Sequence, residues 1–165
     1  SEMCIRDRVY TVNIIEVAMA SKRVSVDLST IPELVVVYLG MRVRSLRGVA
    51  TLARLGPQIQ RAVAAQPDGL LAHEFMLFGA LHVGMRQYWR DMESLEAFTR
   101  TGAHAGWWRD FIKDPAGTGF WHEAYRKTGG MEGIYLDMPA PLGLQKIAPP
   151  HAVEGAYKSS RGRMG

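Results

Sequence analysis

Residues 34–44, Leu-Val-Val-Val-Tyr-Leu-Gly-Met-Arg-Val-Arg, are apolar at odd and even positions alike as far as Gly40 and rich in β-branched side chains. That is the pattern of a strand buried on both sides, so something must cover each face. Over 48–66 the period changes: Val49, Leu52, Ile59 and Val63 recur at helical spacing, interrupted at Gly56-Pro57 and stopped by Pro67-Asp68-Gly69. This predicts a bent or two-part helix. Residues 70–78 and 81–90 return to alternation around Gly79, the second with Val83, Met85, Gln87 and Trp89 against His82, Arg86, Tyr88 and Arg90; they read as a hairpin. Ser94 supplies an N-cap and Glu96 a first-turn acid for a second helix. Its face runs through Leu95, Phe98, Ala105, Trp108 and Ile112, in two pieces divided near Gly102 and ended by Asp114-Pro115. Residues 120–127 and 133–138 read as two more strands joined across Gly129-Gly130, and 139–165 carry Pro, Gly, Ser and Arg without periodicity.

The order is β-α-β-β-α-β with a further short strand, the ferredoxin-like split β-α-β pattern of an α+β fold with an antiparallel sheet. The domain is expected over 26–138, followed by an irregular C-terminal tail, 139–165. Two helices cover one face of such a sheet; the first strand makes the other face apolar as well, which predicts a homodimer packed sheet on sheet. Ahead of the domain, residues 1–8 resemble a translated sequencing-adapter string, and Met19 followed by Ala-Ser-Lys reads as the natural start. Residues 1–18 are therefore expected to be a non-native leader; a strand over Val9–Val17 is the second reading.

Composition narrows the classes. The chain has 165 residues, 47% hydrophobic and 22% charged, which fits one globular domain and excludes a disordered or fibrous chain. The net charge is +4 and the bases, mostly Arg, form no dense run, so nucleic acid is not expected as the main partner. The single Cys4 excludes an internal disulfide framework, in keeping with the cytoplasm. The longest apolar run, Leu34 to Met41, is far short of the roughly 20 residues of a membrane span. No spacing of His or carboxylates announces a metal, and Gly117 and Gly119 are not followed by the Lys-Ser/Thr of a phosphate loop.

Several aromatic and histidine-bearing words stand out: Tyr38-Leu-Gly-Met-Arg42, the run from His82 to Arg90, Ser94-Leu-Glu-Ala-Phe98, His104-Ala-Gly-Trp-Trp108, Phe120-Trp-His-Glu-Ala-Tyr125 and Ile134-Tyr-Leu-Asp-Met-Pro139. Through them the chain resembles the antibiotic-biosynthesis monooxygenase superfamily, in the monooxygenase-like branch around the fumagillin-pathway polyketide monooxygenase. The resemblance implies a dimeric α/β barrel with pockets between each protomer's sheet and its two helices. It also implies one of two chemistries, metal-free oxygenation of electron-rich substrates or haem bound through a helical His. The sequence departs from both patterns: Trp108 stands where the haem-degrading members carry their ligand, one helical turn past His104, and no Asn follows Asn13.

His104, Trp107, Trp108 and Phe111 fall three and four apart and share a helix face, an imidazole beside aromatic surface. His104 is a candidate base; the competing reading is an aromatic core with a satisfied histidine. His122, Ala124 and Arg126 share one strand face, with Trp121, Glu123 and Tyr125 on the other; which face meets the helices is open, and His122 is the preferred catalytic partner. Arg86 and Tyr88 are candidates to bind a carboxylate or enolate. His73 and Glu74 point to opposite faces and share no role. The expected function is a monooxygenase-like oxidoreductase for a small hydrophobic substrate, aromatic or polyene, without cofactor. In it His104 acts as base, Trp107, Trp108 and Phe111 form pocket wall, and Arg86 or His122 meets the oxyanion. The alternatives are a haem enzyme with His104 or His122 as axial ligand, and a non-catalytic ligand-binding dimer.

Overall fold

In the computed structural model, which describes residues 22–100 and 102–164, the elements run β1 (Arg23–Val26), β2 (Val35–Val43), α1 (Leu46–Ala64), β3 (Leu70–Gly79), β4 (His82–Trp89), α2 (Met92–Arg100), α3 (Gly102–Lys113), β5 (Thr118–Arg126), β6 (Ile134–Leu136), β7 (Pro150–Ala152) and α4 (Ser160–Met164). The Val9–Val17 strand and the leader lie outside the described residues. The main sheet is antiparallel in the order β3-β4-β2-β5, and a smaller antiparallel sheet has the order β6-β1-β7. From β2 to β5 this is the predicted β-α-β-β-α-β arrangement of an α+β fold, with its second helix divided into α2 and α3 at the expected place.

The doubly apolar strand is central, as its composition requires. On one side Val35 and Val37, both without solvent exposure, pack with Trp89 and Leu95 beneath the helices. On the other, Val36 and Tyr88 form a second core with Val26 of β1, Leu34 and Leu144 of a 3₁₀ turn at Gly143–Lys146. That second core corrects the premise of the predicted dimer: the chain itself covers one half of the outer face. The tail is not irregular, because from Pro139 onward it contributes this turn, β7 and α4. Strands of three or four residues leave no alternation to read, which is why β1 and β7 escaped the pattern.

Three local expectations change. α1 is one helix from Leu46 to Ala64 despite Pro57 in its interior; nineteen residues with an apolar face anchored by buried Val63 absorb the loss of one backbone hydrogen bond. Ser94 lies inside α2, and the cap is Asp91, whose carboxylate accepts from the Ser94 N–H at 2.7 Å and the Ser94 hydroxyl at 2.6 Å. Those two bonds and Arg90 hold the Asp91 carboxyl down to about 2. Strands β5 and β6 do not pair across Gly129-Gly130, because β6 pairs with β1 in the second sheet. No helix among the described residues is long and apolar enough to cross a membrane.

Candidate functional site

Alternation along the main sheet decides which side chains meet the helices. Across the register, Gln87, Val37 and Ala124 form one row on that face, Met85, Leu39 and His122 the next, and Val83, Met41 and Phe120 the third. Above them a cavity of ≈ 510 Å³ is walled by Leu55, Ile59, Ala62 and Val63 of α1, Leu95, Phe98 and Thr99 of α2, and Trp107 and Phe111 of α3. Its volume falls within the range of small-molecule sites, and its described walls are apolar apart from a few polar groups.

His122 resolves the question left open by the sequence: its strand face is the one turned to the helices, and the imidazole lines the cavity at an exposed edge. Burial beneath the helices lowers its pKa below the ordinary imidazole value. Trp107 and Phe111 form cavity wall, the Trp107 indole donating to Gln58 Oε1 at 3.2 Å and Phe111 meeting Phe120 edge-on. His104 and Trp108 belong to α3, but their side chains lie outside the described residues.

Gln87 is the group that alternation concealed, because it occupies a position otherwise held by Val, Met and Trp. It is 5% exposed and lines the cavity. Its Oε1 accepts from the Trp89 indole at 2.9 Å, and its Nε2 faces the Met85 sulfur at 3.1 Å. The sequence signal was present: one amide in an apolar stripe is a buried polar group that needs a partner.

Arg86 and Tyr88 sit on the opposite face of the sheet, so the structure does not bring them together with His122, Trp107 or Phe111. Arg86 donates to Glu74 Oε2 through both Nε and Nη2 and to the Tyr38 hydroxyl at 3.2 Å, beneath the ring faces of Tyr38 and Tyr88. Glu74 in turn accepts from the Gly143 N–H at 2.9 Å and Lys146 Nζ at 3.1 Å. Burial alone would raise the Glu74 pKa, but these bonds outweigh it and hold the carboxyl below its usual range. Burial pushes the Tyr88 hydroxyl well up, so it stays protonated. Further along that face, Trp121 lies over Gly40, where a Cβ would stand 2.5 Å from the indole nitrogen, and donates to His82 Nε2 at 2.7 Å, with Phe78 packed against both rings. Among the described residues no three His, Cys, Asp or Glu side chains are grouped as metal ligands.

A family model described as monooxygenase af470-like matches residues 34–144, more than half of the chain. Among solved structures, an aldoxime dehydratase is 17% identical with a TM-score of 0.60, over 77% of this chain and 38% of that one. A second, the aldoxime dehydratase OxdRE in complex with butyraldoxime, is 20% identical with a TM-score of 0.55, over 77% of this chain and 36% of that one. SnoaB from Streptomyces nogalater, a cofactor-independent oxygenase, is 12% identical with a TM-score of 0.44, over 58% of this chain and 93% of that one. The likeness to the dehydratases shows a shared fold, and this chain spans less than two fifths of their length. No curated protein matches the sequence.

Proposed function

We propose, from the premise that this chain belongs to the monooxygenase af470-like family, that it is an oxidoreductase oxygenating a small, electron-rich hydrophobic substrate, aromatic or polyene, between its sheet and its helices. The observation that carries the reading is the cavity itself: apolar walls with an imidazole at the mouth, kept in its basic form by burial. A methylene flanked by unsaturated carbons loses a proton to the His122 imidazole. The carbanion combines with dioxygen, and the imidazolium returns its proton to give a hydroperoxide. Removal of the second C–H proton, with the O–O bond breaking, leaves a carbonyl and releases water. The substrate supplies all the electrons, so CH₂ and O₂ become C=O and H₂O with the base regenerated. Exclusion of water by the apolar walls strengthens each charge interaction that stabilises the carbanion.

The test is oxygen uptake with electron-rich phenols and conjugated methylene compounds. His122→Ala should slow it by about 10²-fold or more while the circular dichroism spectrum is kept; unchanged uptake overturns the assignment. His104→Ala, measured in parallel, shows whether the helical imidazole is the base instead. Haem is the second reading, favoured by one described feature, an imidazole at the cavity edge. The described walls offer no Lys or Arg to pair with propionates. A Soret band that saturates at one haem per chain and is lost in His122→Ala would replace the oxygenase reading. The protein is further proposed to be a homodimer joined through the half of the outer face that its second sheet leaves bare.

A further inference from the structure

We infer that Gln87 is the anchor of the cavity, an amide donor that binds an acceptor oxygen of the ligand, carbonyl or enolate. The inference deepens the reading of this cavity as a substrate site and rests on it. Trp89 is fully buried, and its indole nitrogen can only donate, so the Gln87 amide must turn its oxygen toward Trp89. The orientation of the NH₂ group follows: it cannot lie on the Trp89 side. What it meets is the Met85 thioether, a weak acceptor, although the group carries two N–H bonds and is 95% shielded from water. Buried amides are normally satisfied by strong acceptors. If Gln87 served only to accept from Trp89, its oxygen alone would suffice; the donor end is surplus to that role, in a side chain that lines the cavity.

The position fits a ligand that His122 also touches. Gln87 pairs with Val37 and His122 with Leu39, on opposite sides of β2. They are two strand spacings apart across the sheet and two residues apart along it, about 12 Å on the diagonal, with the apolar Val37 and Leu39 between them. A conjugated ketone about two rings long spans that floor, its oxygen at Gln87 and its acidic C–H toward the imidazole. Proton removal then places growing negative charge on the oxygen that Gln87 already holds, so the bond strengthens as the carbanion forms.

The probes are 2-acetonaphthone, an acceptor-only ketone, and 2-isopropenylnaphthalene, its near-isosteric hydrocarbon, with affinities from calorimetry. In Gln87→Met the Kd for the ketone should rise about tenfold while that for the hydrocarbon is unchanged or falls. The infrared C=O stretch of the bound ketone should be lower in the wild-type protein than in heptane, a signature that requires no variant. Gln87→Glu, measured at a pH where the introduced carboxyl is ionised, keeps the acceptor for Trp89 and removes the donor, and there the ketone Kd should rise as in Gln87→Met; an unchanged ketone Kd overturns the inference. Equal changes in Kd for the two naphthalenes, or an unshifted C=O stretch, overturn the inference. If neither compound binds the wild-type protein, the substrate-site reading itself fails.

Discussion

A histidine at the edge of an apolar cavity is a base whose strength depends on how much water reaches its charged form. His122 has desolvation as the cause of its lowered pKa, and among the described residues no counter-ion offsets it. The neutral imidazole is the form that takes a proton, so oxygenation should rise with pH through the lowered pKa. The acid limb of kcat/KM is therefore expected below pH 6.5, the ordinary histidine value, with a slope of one proton. An NMR titration of the His122 Cε1–H should give the same midpoint. A midpoint at or above 6.5 would show that the ring is hydrated or paired with an anion, and would remove it as the base. His122 was legible in the sequence as a candidate; its face was not, because a strand that carries His122 on one side and Glu123 on the other offers a polar group to whichever side packs. Gln87 was passed over for the opposite reason, since alternation placed it in an apolar stripe and gave it the meaning of its neighbours.

At the scale of elements, β3 and β4 are tied to the C-terminal turn by one carboxylate. Glu74 joins Arg86 of β4, the Gly143 N–H and Lys146, and with a side chain 8% exposed it has little access to water. Replacing it with Gln leaves the Arg86 guanidinium without its anion, and breaking a buried pair of this kind costs about 3 kcal/mol. Glu74→Gln should lower the melting temperature and accelerate amide exchange at Gly143 before it affects β2. Because the folded carboxyl titrates below its unfolded value, its stabilisation is complete above about pH 4.5 and is lost as the pH falls through the lower folded value. The protection factor of the wild-type Gly143 amide, which corrects for the base-catalysed intrinsic rate, should therefore fall in acid, and a pH-independent protection factor there would show that the bond carries no stability. Elements long enough to show a period were legible: β2 by its apolar character on both faces, β4 by alternation, and the division at Gly102. Of the elements that cover the outer face, β6 was legible as a strand within 133–138 but not its partner, and β1 and β7 were not legible at all, because strands of three or four residues show no period and pair with partners more than 100 residues away in the chain.

For the whole molecule, the second sheet and the Gly143–Lys146 turn cover one half of the outer side of the main sheet. The remaining half carries Phe78 at 46% exposure and Tyr125 at 51%, beside Trp121, which lies over Gly40 and meets His82 edge-on. β5 pairs with β2 along one edge, and among the described residues no strand occupies its other edge. An aromatic strip beside an unpaired strand edge is a surface that water disfavours and that another chain can cover. The proposed homodimer places two such strips against each other. Sedimentation velocity at micromolar protein should then give the mass of two chains, and the melting temperature should rise with concentration. Introducing Phe78→Lys together with Tyr125→Lys puts like charges into the contact and should return a monomer. Neither residue lines the cavity, so ketone binding through Gln87 should survive in that monomer. A wild-type monomer at every concentration would mean that the Trp121 strip is covered by something other than a second copy. Loss of ketone binding on dissociation would mean that the partner completes the cavity, and the site would then belong to the pair of chains rather than to one.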